Sequence, residues 1–221
     1  MTTTYPGTEQ KTHRILIADD HAIVRIGIRI LIKNMDSNAL VEEAVNGESV
    51  IRKLKTDDYD LLILDISMPR TESFSLTNYI LKEFPSLKVL IFTINQEAFF
   101  AKRFLKLGVH GYMIKESKET EVQEAIRTIL NGQIYVSDAL SGILSDEVMG
   151  THEENPFEKL SDREFELILQ ILKGYPVAEI ADTLHLNKST IGTHKSRIMK
   201  KLKLSNTIEL MNLAKAHNII A

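Results

Sequence analysis

The sequence predicts an α/β protein in two parts: a doubly wound, five-stranded parallel sheet, then a small all-α domain. Three observations predict it. Short β-branched apolar runs alternate with helix-period segments across the first 135 residues. The last 65 residues hold helix-period segments only. The charge balance also changes sign between the two parts. Residues 1–155 carry 17 Lys and Arg against 23 Asp and Glu, whereas residues 156–221 carry 10 against 7.

Composition sets the outer limits. At 221 residues the chain exceeds one typical domain of ~100–200 residues. With 43% hydrophobic and 26% charged residues it reads as an ordinary soluble globular protein, which excludes bulk disorder. The absence of cysteine rules out disulfide staples, thiolate catalysis and Cys-based zinc sites. Apolar runs such as Leu61–Leu64 and Val89–Phe92 fall far short of the ~20 residues that span a bilayer, so no membrane partner is expected. Met1–Lys11 lacks an apolar core and reads as a polar tail rather than a signal peptide. Together these features point to the cytoplasm.

The elements follow in order. Arg14–Ala18 is a short apolar strand that runs into Asp19–Asp20, and Ala22–Lys33 places Ile23, Ile26, Ile30 and Leu31 on one face of a helix. Val41–Val45 is the second strand and Ser49–Leu54 the second helix. Asp60–Leu64 is a continuous apolar run, as befits a strand covered on both faces of a parallel sheet. It ends at Asp65, and Met68–Pro69 marks the following loop. Leu76–Phe84 reads as helix, Lys88–Phe92 as strand and Ala98–Leu107 as helix. Gly111–Ile114 is the last strand, and Glu119–Leu130 is a helix closed by Asn131–Gly132.

In such sheets, ligands bind outside the carboxyl ends of the strands. The residues just past those ends are Asp19, Asp20, Asp65, Thr93 and Lys115. Three carboxylates held together repel one another unless a cation is shared between them. Mg²⁺, which takes one or two carboxylates plus water and phosphate oxygens, suits that cluster. A carboxylate can attack phosphorus and form an aspartyl phosphate, with the metal and the Lys115 ammonium neutralising the transferred group. Thr93 is placed to hydrogen-bond a phosphoryl oxygen. An aspartyl-nucleophile phosphatase of the haloacid-dehalogenase kind would need a second acid two residues after Asp65, and that residue is Ser67.

Asp19–Asp20, Asp65 with Met68–Pro69, Thr93, and Gly111–Lys115 resemble the signature of the response-regulator receiver domain, a flavodoxin-like fold. Asp19–Ile28 (DDHAIVRIGI) is similar to the NarL/FixJ branch in particular. The resemblance covers residues 13–131. It implies that Asp65 is the phosphoacceptor. It also implies Mg²⁺ held by Asp20, Asp65 and the Ser67 backbone carbonyl, with Asp19 acting through water. Thr93 and Lys115 would contact the phosphoryl group, and Tyr112 would be the aromatic coupled to Thr93. The implied protein is not an enzyme on other molecules; it catalyses only its own phosphoryl transfer and dephosphorylation. One departure stands out. The family usually has glycine eight residues after the phosphoacceptor, where this chain has Ser73, which predicts a differently shaped loop.

In the last part, Leu160–Leu172 opens on a Ser161–Glu164 capping box with Phe165, Ile168, Leu169 and Leu172 at helical spacing. Val177–Leu184 is a short second helix, and Asn187 is the expected N-cap of a third that reaches Leu202. On that third helix Ile191, Ile198 and Leu202 form an inward stripe, with His194 at its edge as a packing residue. Ser189, Thr193, Ser196 and Lys200 lie opposite, flanked by Gly192 and Lys203. Small polar residues let a helix approach base edges while lysines reach phosphates. Thr207–Ala216 supplies a final helix.

Leu160–Ser161–x–Arg163–Glu164, Glu179–Ile180–Ala181 and Ser189–Thr190–Ile191–x–Thr193–His194 resemble the LuxR-type helix-turn-helix. The resemblance implies a recognition helix Lys188–Leu202, with Gly192, Thr193 and Ser196 at the bases and Lys188, Lys200 and Lys201 at the phosphates; Ser189, on the same outward stripe, joins them as a DNA-binding residue. The family usually has lysine at Gly192 and often arginine at Thr207, so weak DNA binding by the isolated domain is expected. The boundaries read as a tail 1–12, a receiver 13–135, a helix and flexible linker 136–156 (Ser137–Val148, then Gly150–Pro156) and a DNA-binding domain 157–221. The implied function is a two-component response regulator of transcription. A sensor histidine kinase phosphorylates Asp65, and the chain then forms a homodimer, frees its recognition helix and reads double-stranded DNA. The alternative is a phosphorylation-independent DNA-binding dimer with a degenerate receiver.

Overall fold

A computed structural model describes residues 12–94, 98–137, 140–142 and 155–220. Five strands, β1 (Arg14–Ala18), β2 (Leu40–Ala44), β3 (Leu61–Leu64), β4 (Lys88–Thr93) and β5 (Gly111–Ile114), pair in parallel in the order β2-β1-β3-β4-β5. The order reverses direction at β1, and the crevice outside the carboxyl ends of β1 and β3 is where such a sheet binds its ligand.

Alternate strand residues feed two cores. Ile15, Ile17, Leu61, Ile63, Leu90 and Phe92 pack under α1 (Ala22–Met35) and α5 (Glu119–Leu130). On the other face, Leu16, Leu62, Leu64, Val89 and Ile91 pack under α2 (Gly47–Thr56), α3 (Ser73–Glu83) and α4 (Ala98–Leu107). Gly111 lets β5 pack closely against α5 and β4. A Cβ there would sit 2.9 Å from Ile129 Cδ1 and 3.0 Å from Leu90 Cδ1.

Two sequence expectations need correction. The Ile23, Ile26 and Ile30 stripe faces outward (76%, 49% and 56% exposed), and Ile28, Leu31 and Ile32 are the buried residues of α1. The helix carries two apolar stripes, and spacing alone does not say which one meets the sheet. Helix α3 begins at Ser73 rather than Leu76. The Ser73 hydroxyl donates to the Ile66 carbonyl and closes the loop after Asp65. Positive φ falls at Arg70 (53°), so the serine at the family's glycine position carries no backbone strain.

The C-terminal part starts with a 3₁₀ turn (Pro156–Lys159) and continues through α6 (Asp162–Leu172), α7 (Val177–Thr183), α8 (Lys188–Leu202) and α9 (Thr207–Ala216). The Ser161–Glu164 capping box forms as expected at the start of α6. Asn187 occupies the N-cap of α8 but makes no side-chain cap hydrogen bond. Ile191, Ile198, Met199 and Leu202 are the buried residues of α8. The polar tail Met1–Lys11, and the linker segment over 143–154, lie outside the described residues.

The two parts share one core. Phe165 of α6 is fully buried, with ring centroids 5.9 Å from Phe74, 5.0 Å from Phe99 and 5.4 Å from Phe100. The Arg103 guanidinium lies 4.8 Å from the Phe99 and Phe165 rings alike. It also donates to the carbonyls of Phe157 and Leu160, and to Asp162 at 2.8 Å. The second domain is thereby docked on α3 and α4 through α6 and the 3₁₀ turn.

Candidate functional site

At the carboxyl edge of the sheet, Asp19 (2% exposed) and Asp65 (1%) are buried while Asp20 faces the opening. Asp65 follows β3 directly, so the strand that delivers it also buries it. Lys115 follows β5 and places Nζ 2.8 Å from Asp65 Oδ2 and 2.6 Å from Asp19 Oδ2. The Ser67 N–H donates to Asp65 Oδ1 at 2.8 Å, and the Ser67 and Thr93 hydroxyls are 3.2 Å apart. Burial pushes the Asp65 carboxyl above its ordinary range, while Lys115 and the Ser67 N–H act against that rise. Lys115 is held above its ordinary value: burial lowers it, but Asp19 and Asp65 more than offset that. Tyr112 is buried on β5, its ring 6.3 Å from that of Phe104.

Ligand atoms of Asp19, Asp20, His21 and Asp65 lie within 4.8 Å of one another. Asp20 Oδ1 is buried without a hydrogen-bond partner among the described residues, although His21 Nδ1 stands 2.9 Å away. An orphaned carboxylate oxygen beside two more carboxylates fits a hard, oxygen-seeking divalent cation. His21 was missed by the sequence reading. Its N–H donates to Asp19 Oδ1 at 2.8 Å, and its place directly after two strand-end acids was the available signal.

The second candidate site is the outer face of α8. Lys188, Ser189, Gly192, Thr193, Ser196 and Lys200 are all exposed along it. Lys201 is exposed too, but its ammonium pairs with Glu164 at 2.7 Å. The receiver part touches α6 and the 3₁₀ turn, and its Arg70 lies 3.8 Å from Glu179 of α7, while this face of α8 is exposed in the docked chain. The buried polar residues of α6 carry no local sequence signal. Glu166 and Gln170 are 3% and 9% exposed, because α6 is enclosed by its own domain on one side and by α3 and α4 on the other.

The response-regulator receiver-domain family matches residues 15–127, and the luxR family of bacterial regulatory proteins matches residues 158–214. Response regulator UvrY of Escherichia coli (strain K12) is 31% identical over 206 residues, covering 93% of this chain and 94% of that protein. Oxygen regulatory protein NreC of Staphylococcus carnosus (strain TM300) is 34% identical over 208 residues, covering 91% and 96%. The chain belongs to the NarL/FixJ family of response regulators.

This response regulator also resembles solved structures of RcsB. One from Salmonella enterica serovar Typhimurium, bound to promoter rprA with phosphomimetic BeF3−, aligns with a TM-score of 0.71 at 28% identity. It covers 92% of this chain and 99% of that one. Another, of Salmonella typhimurium RcsB, aligns with a TM-score of 0.76 at 28% identity, covering 94% and 99%. The chain therefore combines a receiver with a LuxR-type DNA-binding domain and is a transcription regulator. Among the described residues, no helix is long and apolar enough to cross a membrane.

Proposed function

We propose that a sensor histidine kinase phosphorylates Asp65, and that phosphorylation governs pairing of two chains on a two-fold-related DNA site. The observation that carries this reading is the Asp65 carboxylate, buried beside Asp19 and Asp20 with Lys115 2.8 Å away. Asp65 attacks phosphorus as the bond from phosphorus to the donor imidazole breaks, and the imidazole leaves with the electron pair. Lys115 neutralises charge on the transferred group, and the Thr93 and Ser67 hydroxyls offer it hydrogen bonds. Mg²⁺ held by Asp20, Asp65 and the Ser67 carbonyl, with Asp19 acting through water, would supply the remaining positive charge. Tyr112 couples to Thr93.

On the DNA side, Gly192, Thr193 and Ser196 read bases, Ser189 lies on the same DNA-facing stripe, and Lys188, Lys200 and Lys201 meet phosphates, the last after leaving Glu164. The units are a tail 1–12, receiver 13–135, linker 136–156 and DNA-binding domain 157–221, working in the cytoplasm. That RcsB, similar to this chain at 28% identity, has been solved bound to a promoter in the presence of phosphomimetic BeF3− supports this reading.

The test is intact mass after incubation with acetyl phosphate and Mg²⁺. A single phosphoryl increment that vanishes in Asp65→Asn is expected; an increment that persists in Asp65→Asn overturns the assignment. The open face of α8 is the one observation favouring a phosphorylation-independent DNA-binding dimer. Equal DNA affinity with and without the increment would establish that second reading.

A further inference from the structure

Helix α3 begins badly. Its N-cap residue, Glu72, makes no side-chain cap hydrogen bond, so among the described residues the receiver offers no side-chain cap to the first-turn N–H groups. The acceptor comes from the other domain. Glu166 of α6 takes the Phe74 N–H on Oε1 at 3.2 Å and the Ser75 hydroxyl on Oε2 at 3.2 Å. Phe74 is the second residue of α3, where a capping side chain normally bonds. The carboxyl is 3% exposed, and a carboxyl buried to that degree is tolerated only where its oxygens are hydrogen-bonded.

The capped turn is also tied to the phosphoacceptor. Ser73, the first residue of α3, donates its hydroxyl to the carbonyl of Ile66, the residue after Asp65. Beside Glu166, Arg163 reaches Glu72 and Ser75 with one guanidinium nitrogen and the carbonyl of Leu184, at the end of α7, with another. A continuous set of bonds thus joins Asp65 to the helix-turn-helix.

We propose that Glu166 is the N-cap of receiver helix α3, supplied in trans by the DNA-binding domain, and that through this cap the domain takes its position from the phosphoacceptor loop. Glu166 acts as a positioning residue. The docked arrangement leaves the base-reading face of α8 outward, so it is the DNA-competent one, and phosphorylation of Asp65 favours it. This last step rests on the phosphorylation reading given above; the cap itself does not.

Titration follows from the same geometry. The charged groups facing Glu166 are Glu72, Arg163 and Lys173. Burial, with Glu72 adding to it, pushes Glu166 up to about 7, against the Phe74 N–H, the Ser75 hydroxyl and Arg163. A carboxyl raised by docking binds its proton more tightly when docked. Docking therefore weakens as pH rises from the undocked carboxyl's value towards 7, and levels off above it.

The test is amide hydrogen exchange at Phe74 in the full chain, corrected for intrinsic rate, with intact mass taken on the same sample. Glu166→Leu is expected to lower protection at Phe74 at least tenfold, while Glu166→Gln, which keeps an acceptor oxygen, retains it. Protection in the wild type should fall as pH rises from 5 to 7 and stay flat in Glu166→Gln. Acetyl phosphate with Mg²⁺ should raise wild-type protection severalfold, but not that of Glu166→Leu, at equal phosphoryl increment. Unchanged protection in Glu166→Leu, or the same pH profile in wild type and Glu166→Gln, overturns the cap. Protection that is unchanged or lower in a phosphorylated wild-type sample overturns the coupling. A sample with no phosphoryl increment overturns the coupling together with the phosphorylation reading, and leaves the cap to be judged by Glu166→Leu.

Discussion

Lys115 Nζ lies 2.8 Å from Asp65 Oδ2, so the ammonium that would neutralise a transferred phosphoryl group already neutralises the carboxylate that would receive it. The same ammonium holds Asp19 at 2.6 Å. Removing one partner from a buried ion pair leaves the others uncompensated. Lys115→Met is expected to cost about 3–5 kcal/mol in urea unfolding with a chelator present. Mg²⁺ should recover part of that loss by binding the folded state alone. Stability equal to wild type in chelator would contradict the arrangement.

Phe165 is the apolar anchor between the domains. Truncation of a fully buried phenylalanine typically costs about 3–5 kcal/mol, through lost transfer free energy and the cavity left behind. Phe165→Ala is expected to lower the urea midpoint and split the transition in two, with the C-terminal helices unfolding first. Calorimetry with a single transition at the wild-type temperature would count against a shared core.

Gly192 lies inside α8 with open space where a Cβ would be. Gly192→Ala should therefore stabilise the chain by about 0.8–1.0 kcal/mol, the ordinary difference in helix propensity. Gly192→Lys should steepen the salt dependence of DNA affinity by roughly one unit of log–log slope, the signature of one added phosphate contact. A salt series of gel-shift titrations measures this; an unchanged slope would place residue 192 away from the DNA.

Acid sensitivity is expected at the other end of the sheet. Lys53 foremost, with Arg14 further down, holds Glu42 below the usual carboxylate range, and Arg14 does the same for Asp57. Depressed carboxylates contribute stability that is complete above their unfolded values and is lost as pH falls through the folded ones. Between about pH 5 and pH 3, Arg14→Met should therefore lose less stability than wild type. Both carboxylates are about a third exposed, so the difference is modest.

The sheet was legible in the sequence because strands buried on both faces read as unbroken apolar runs, as LLIL does for β3. The acidic site was legible for a related reason: Asp19, Asp65 and Lys115 each stand next to the last residue of a strand. The orientation of α1 was not legible, since Ile23, Ile26 and Ile30 match the helical period as well as the buried set. The interdomain contacts left no local trace. Glu166 and Phe74 are 92 residues apart, and Arg103 and Asp162 are 59 apart, so no periodicity relates them. Ser73 was legible as a departure, but its hydrogen bond to Ile66 depends on a loop shape that only the fold defines.

The most direct measurement is the affinity of the full chain for a duplex obtained by binding-site selection, titrated with and without acetyl phosphate and Mg²⁺, beside Asp65→Asn under both conditions. The expected result is tighter, two-chain binding by the wild type on phosphorylation and no response from Asp65→Asn. Identical curves for all four samples would contradict control of DNA binding through Asp65.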